Sequence, residues 1–197
     1  VTTELEEART LRRWPGLAAA GWGLAFAVPS FYWALGGLAG ASSTIAPSLV
    51  ELARERDPGF VAILWITGAL KFFGGLLGLA LVSRQPWGRG INRLLQFLAW
   101  GGAVLLTWHG GLFVVQGLLV ETHLRDLDPE LRSVSRWYTY LWGPWFIAGG
   151  LAFLLAARAR LLAGISPSDR RGLRGAALLG GFGALVLSVG ATVAGVG

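Results

Sequence analysis

Eight side chains in this sequence are of types that could do chemistry in an apolar setting: Lys71, His109, Gln116, Tyr32, Ser30, Trp108, Tyr140 and Trp145. Lys71 leads them. It stands at the midpoint of the run from Phe60 to Val82, which carries no other charge, and it is the single lysine beside sixteen arginines. Two states suit a lysine there. Its ammonium can face an anionic group such as a lipid phosphate or carboxylate, or the amine can be held neutral, an option that arginine does not offer. His109 is the one histidine inside a long apolar run. It reads either as a hydrogen bond to a neighbouring helix carbonyl or as a base or ligand. Gln116, Ser30, Tyr32 and Tyr140 add hydrogen-bonding groups, and Trp108 and Trp145 add aromatic wall or simple packing.

Spacing places these groups relative to one another. Thr67, Gly68, Gly74, Gly75 and Gly78 lie at i−4, i−3, i+3, i+4 and i+7 from Lys71, so a helix puts the lysine on a face of small residues. Small residues are what let membrane helices approach closely, so that face is expected to meet protein. Lys71 is eleven residues from Phe60 and His109 eleven from Val120. On antiparallel helices both side chains then sit at the same depth, about 16 Å from the end of the span. Val28-Pro29-Ser30 and Gly143-Pro144 predict breaks in two further spans, both in the outer half. Together these groups predict an outward-facing, aromatic-walled pocket with Lys71 and His109 at its floor. Gln116 and Tyr32 would lie nearer its mouth.

The elements that must position them are long apolar runs. Five are visible, at 15–41, 60–82, 94–120, 137–157 and 173–196, each long enough to cross a bilayer core of about 30 Å. The sequence therefore reads as an all-α integral membrane protein. A bundle of five transmembrane helices forms one domain over 15–197, preceded by a short amphipathic helix or tail at 1–14. Thr3 and Glu6 make a capping box in that first segment, and it lies either on the membrane surface or free in solvent. An acidic start and a long apolar run argue against a cleaved signal peptide. Amphipathic spacing predicts short helices in the two outer loops, over Leu49–Arg56 and from Asp128-Pro129 onward.

Charge supplies the orientation. Eleven arginines fall on the side of the N-terminus and five on the other, while seven of the eleven acids fall on the arginine-poor side. The positive-inside rule then makes the N-terminus cytoplasmic and the C-terminus external. A weak repeat relates Phe73-Gly-Gly-Leu-Leu-Gly-Leu-Ala to Ala148-Gly-Gly-Leu-Ala-Phe-Leu-Leu, and Trp22-Gly-Leu-Ala to Trp100-Gly-Gly-Ala. The offsets of 75 and 78 leave two readings, a duplicated two-helix hairpin with a fifth helix added or a chance match of glycine-rich runs.

Composition narrows the chemistry. The chain is 54% hydrophobic and 14% charged, with 30 glycines and no cysteine. Disulfides, thiolate metal sites and dithiol redox chemistry are thereby excluded. The net charge of +6 is distributed between apolar runs, as topology requires, so no nucleic-acid partner is expected. No cofactor or metal is expected either. His109 lacks a second histidine within a span, His123 lies beyond the end of its run, and no nucleotide-binding motif follows a strand.

The segments Pro29-Ser-Phe-Tyr-Trp-Ala-Leu-Gly-Gly37, Trp65-Ile-Thr-Gly-Ala-Leu-Lys71 and Leu141-Trp-Gly-Pro-Trp145 resemble a family of small actinobacterial multi-pass membrane proteins catalogued as a domain of unknown function. The resemblance runs to about Ala157. It implies an integral protein of the bacterial cell membrane and carries no activity or functional residues with it.

Three functions remain open at this point. The first is binding, or help in transporting, an anionic amphipathic ligand or lipid around Lys71 and His109. The second is an accessory subunit that packs on a partner membrane protein or on a second copy of the chain. The third is a lipid-modifying enzyme, disfavoured because no carboxylate lies inside any span.

Overall fold

The computed structural model describes residues 2–83, 87–124, 126–127, 129–162 and 167–194. Arg84, Arg125, Asp128 and residues 195–196 of the expected elements lie outside these, as do the side chains of Thr3 and Glu6. Among the described residues all regular structure is helical: α1 (Thr2–Ala34), α2 (Ala41–Thr44), α3 (Pro47–Glu55), α4 (Pro58–Val82), α5 (Arg89–Glu121), α6 (Pro129–Trp137), a π-helical turn (Tyr138–Trp142), α7 (Gly143–Leu162) and α8 (Pro167–Val193). Five stretches are long and apolar enough to cross a membrane: Arg13–Ala34, Pro58–Val82, Arg89–Glu121, Val134–Leu162 and Arg170–Val193.

The boundaries differ from those read off hydropathy, for local reasons. The N-terminal helix and the first span are one helix, continuous through Pro15 and through Pro29. A proline removes one backbone hydrogen bond, and lateral packing can hold the helix together across it. Gly16 supplies that packing beside Pro15, lying against Gly78 and Val82 of α4. The first span ends at Ala34 rather than Ala41 because Gly36 (φ 101°) and Gly40 (φ 75°) take left-handed conformations. Such conformations stop a right-handed helix. At the other proline, the chain answers by widening. The Gly143 N–H reaches back five residues to the Tyr138 carbonyl, so a π turn leads into Pro144, whose ring crowds the preceding turn of a regular helix.

Close approaches between helices give the order of packing. Gly16, Gly23 and Phe31 of α1 meet Gly78, Gly75 and Gly68 of α4 in reversed order, so the two are antiparallel. Gly117, Gly110 and Ala103 of α5 meet Thr139, Gly143 and Gly150 along the π turn and α7 in the same reversed sense. α8 runs parallel to α5, with Gly180 against Phe97 and Thr192 against Trp108. The most extensive interfaces are α1–α4, α5–α8 and α5–α7, and α1–α7 joins the two halves. The two Gly-Gly pairs play matching parts. Gly75 faces α1 and Gly150 faces α5, in each case the preceding membrane-length helix, whereas Gly74 faces Phe153 and Gly149 faces Trp22 across the junction.

Two apolar clusters fix the ends of the bundle. At one end, Ala19, Leu81, Leu95, Ala99, Ala103 and Phe153 are buried together with Ala156 and Ala157. At the other, Ala34, Ala53, Phe60 and Leu64 bring the surface helix α3 down onto α1 and α4. Arg56 completes that corner by donating to the Ala34 carbonyl at 3.1 Å, which satisfies an acceptor left open where α1 ends.

Candidate functional site

Lys71 projects from α4 onto α1. Its Nζ donates to Ser30 Oγ at 2.8 Å and lies 3.8 Å from the centroid of the Phe26 ring. The glycine face of α4 makes this reach geometrically simple. Gly68 and Gly75 lie one turn above and below, and they let α1 come close enough for a one-residue bridge. Ser30 is 2% exposed, so the hydroxyl is available only to the interior. An ammonium over an aromatic face gains from the ring quadrupole, by about 0.5–2 kcal/mol depending on desolvation. Among the described residues no carboxylate pairs with Lys71.

Phe26 belongs to an aromatic layer between α1 and α7. Trp22, Trp142, Trp145 and Phe146 surround it at centroid distances of 5.1 to 5.6 Å for Phe146, Trp22 and Trp142 and 6.4 Å for Trp145. Trp22 stacks on Trp145 and donates its indole N–H to the Trp145 carbonyl at 2.8 Å. Trp145 itself holds an indole N–H that is buried without a hydrogen-bond partner among the described residues. A buried unpaired donor costs about 1–3 kcal/mol, so its retention calls for an explanation.

His109 occupies the far side of the same layer. Its ring packs edge-on against Phe113 and Phe146, at 4.4 and 5.0 Å. Phe146 therefore touches both the Phe26 ring beneath Lys71 and the His109 ring, and it stands between the two polar groups. Counting residues along antiparallel spans predicts a common level for the two. It could not capture rotation about the helix axes, which aims Lys71 at Ser30.

The remaining expected site residues are dispersed. Gln116 lines a cavity of about 270 Å3 with Phe113, Val120, Val134 and Tyr138. Tyr32 is exposed at the end of α1, where its hydroxyl accepts the Ala39 N–H at 3.4 Å. Tyr140 is exposed on the π turn and donates to the Glu121 carboxylate. Trp108 faces α8 and donates to Thr192 Oγ1 at 3.3 Å. Of the eight, the structure brings Lys71 and Ser30 into direct contact and sets Trp145 against the same Phe26 ring.

Two polar residues outside the expected set organise the opposite end. Gln96 is completely buried, donates to the Ala157 carbonyl and accepts from Trp100 Nε1, both at 3.2 Å. Arg160 donates to the carbonyls of Ala80, Leu81 and Ser83, closing the last turn of α4, and to Asn92 Oδ1 at 2.7 Å. A glutamine early in an apolar run was the available signal for the first. Arg160 reads as a topology charge, and the sequence holds no cue to the carbonyls it meets.

Among the described residues no group of three or more His, Asp or Glu side chains is placed to hold a metal ion. A family model described as "Protein of unknown function (DUF3995)" matches residues 23–153. No curated protein and no solved structure matches the chain.

Proposed function

The chain belongs to the DUF3995 family of proteins of unknown function, and on that footing we propose that it is a membrane protein that binds, or helps to transport, an anionic amphiphile or lipid through Lys71. The observation that carries this reading is the Lys71 environment. A primary amine lies within a span with one hydroxyl partner and one aromatic face, Phe26, whose ring also contacts Trp145, an indole with no N–H partner among the described residues. An ammonium with one hydroxyl acceptor and an indole N–H with none among the described residues both favour further acceptors. A carboxylate or phosphate supplies several, and an intramembrane charge without an acid nearby is by default a functional group. In this reading His109, across Phe146, and Gln116, farther along α5, would line the approach.

Topology follows the same reading. Five helices of sufficient length and apolarity support five crossings of a bacterial cell membrane. The excess of arginine at the α1 start, the α4–α5 connection and the α7–α8 connection supports a cytoplasmic N-terminus and an external C-terminus. The matched roles of Gly74-Gly75 and Gly149-Gly150 support an ancestral hairpin duplication, with α8 as the addition.

The test is direct. The protein is purified in a mild detergent, bound amphiphiles are extracted and identified, and the same is done for Lys71→Met. An acidic species retained by the parent protein at about one equivalent per chain more than by the variant supports the proposal. Equal retention by both sinks it.

A second reading rests on α8. Leu178, Phe182 and Leu187 are largely exposed, and Gly183 and Gly190 have open space where a side chain would project. A helix with that surface suits an accessory subunit packed on another membrane protein. Stoichiometric co-migration with such a partner in mild detergent would favour it.

A further inference from the structure

We infer that the outer end of the bundle holds a second binding site, for a single-chain amphiphile with an oxyanion head group. Two chambers adjoin there, sharing Val120 and Ser135 in their walls. The inner one, about 270 Å3, is walled mainly by Phe113, Val134 and Tyr138, with the Gln116 amide as a polar point. The outer one, about 360 Å3, is lined by Glu121, His123, Arg132 and Arg136. An apolar chamber that opens into a charged one is the shape of an amphiphile. Ligand sites commonly span about 300–1,000 Å3, so the chambers suit one short chain and its head rather than a two-chain lipid.

Charge decides the head group. Arg132 and Arg136 lie four residues apart on α6 and so share a face. Each stands 3.9 Å from a carboxylate, Asp126 and Glu121 respectively, beyond hydrogen-bond distance. The Tyr140 hydroxyl donates to the other oxygen of Glu121. Exposed ion pairs of this kind contribute little, whereas a guanidinium can grip a phosphate or carboxylate through two parallel hydrogen bonds. The arginines are therefore available to an incoming oxyanion.

The first outer loop covers the inner chamber. Ala46, between α2 and α3, forms part of its wall, and Trp142 Nε1 donates to the Thr44 carbonyl at 3.1 Å to hold that loop over the π turn. The π turn is seated in turn by Thr139, which packs on Gly117 with its hydroxyl donating to the Ser135 carbonyl at 2.8 Å. Nothing in this site uses Lys71.

The site is tested with radiolabelled decyl phosphate, measured against decanol and decyltrimethylammonium. The full chain is held in nanodiscs of zwitterionic lipid, with empty nanodiscs as blank. Arg132→Gln with Arg136→Gln is expected to weaken decyl phosphate binding at least tenfold and leave decanol binding within twofold. Ala46→Phe, which fills the inner chamber from a loop, is expected to weaken both. Lys71→Met is expected to leave these changes in place, so loss of the deeper site and loss of this one are read separately. Decyl phosphate binding that stays within twofold in both the double arginine variant and Ala46→Phe overturns the inference. Equal binding of decyltrimethylammonium and decyl phosphate also overturns it. Ala46→Phe decides the matter if the arginine variant does not fold.

Discussion

Lys71 on α4 and Ser30 on α1 meet at 2.8 Å across a helix interface whose other close contacts are made by glycines. The bridge is short because Gly23 and Gly75 bring the two backbones together. A Cβ on Gly23 would lie 2.5 Å from the Gly75 nitrogen. Position and chemistry are thus coupled, since the glycines set the separation and the separation sets where the ammonium ends.

That coupling makes Gly23→Ala and Gly75→Ala strong tests of the interface. Each new methyl would collide with backbone or with Leu24, and overpacking of this kind costs about 1–3 kcal/mol. Both variants are expected to lower the melting temperature in detergent. Gly21→Ala, where nothing lies within 4 Å, is expected to leave it unchanged.

Ser30→Ala removes the hydroxyl that accepts from Lys71 and leaves the amine with the Phe26 face. A loss of about 1–3 kcal/mol is expected, as for a buried donor deprived of its partner. The double variant Ser30→Ala with Lys71→Met is expected to recover part of it. A chemical or thermal denaturation series on the four proteins gives the coupling. Additive losses would show that the two side chains act independently.

At the opposite end Arg160 ties the α4 C-terminus, Asn92 of α5 and its own helix α7 into one corner. Arg160→Ala leaves the carbonyls of Ala80, Leu81 and Ser83 without that donor, and hydrogen bonds to charged groups contribute about 1.5–3 kcal/mol. Arg160→Lys is expected to recover only part of the loss, because a point charge cannot serve carbonyls and amide at once. Proteolysis at the α4–α5 connection, faster in Arg160→Ala than in the parent, is the local readout.

The chain has no cysteine, which makes topology simple to test. Ser48→Cys on the exposed start of α3 is expected to react with a membrane-impermeant maleimide added to intact cells. Gly88→Cys, which has open space around it, is expected to react only after the membrane is permeabilised. The reverse pattern would invert the orientation.

Much of the architecture was legible because it depends on composition over long windows. Five apolar runs became five long helices, and the glycine face around Lys71 became the α1–α4 contact. The two loop helices were also visible, α3 through its amphipathic spacing and α6 through its leading proline. Other features depend on details that such windows average away. Pro29 looks like a break and Pro15 starts the expected first span, yet one helix passes through both. Gly143-Pro144 looks like a kink, and the chain widens into a π turn ahead of it. The candidate site divides along the same line. Depth could be counted along each span, but the count does not show that Phe146 stands between Lys71 and His109. The Ser30 contact depends on the rotation of α1 against α4, which only the packed glycines determine.

The central claim is that Lys71 selects an anionic ligand. Its most direct test is the affinity of the nanodisc-embedded protein for an acidic amphiphile relative to a zwitterionic one of the same chain length. The ratio is measured for the parent and for Lys71→Met in a background carrying Arg132→Gln and Arg136→Gln. The account predicts that the preference for the acidic ligand falls at least tenfold in Lys71→Met while the variant remains folded. A preference unchanged by the loss of Lys71 would contradict it.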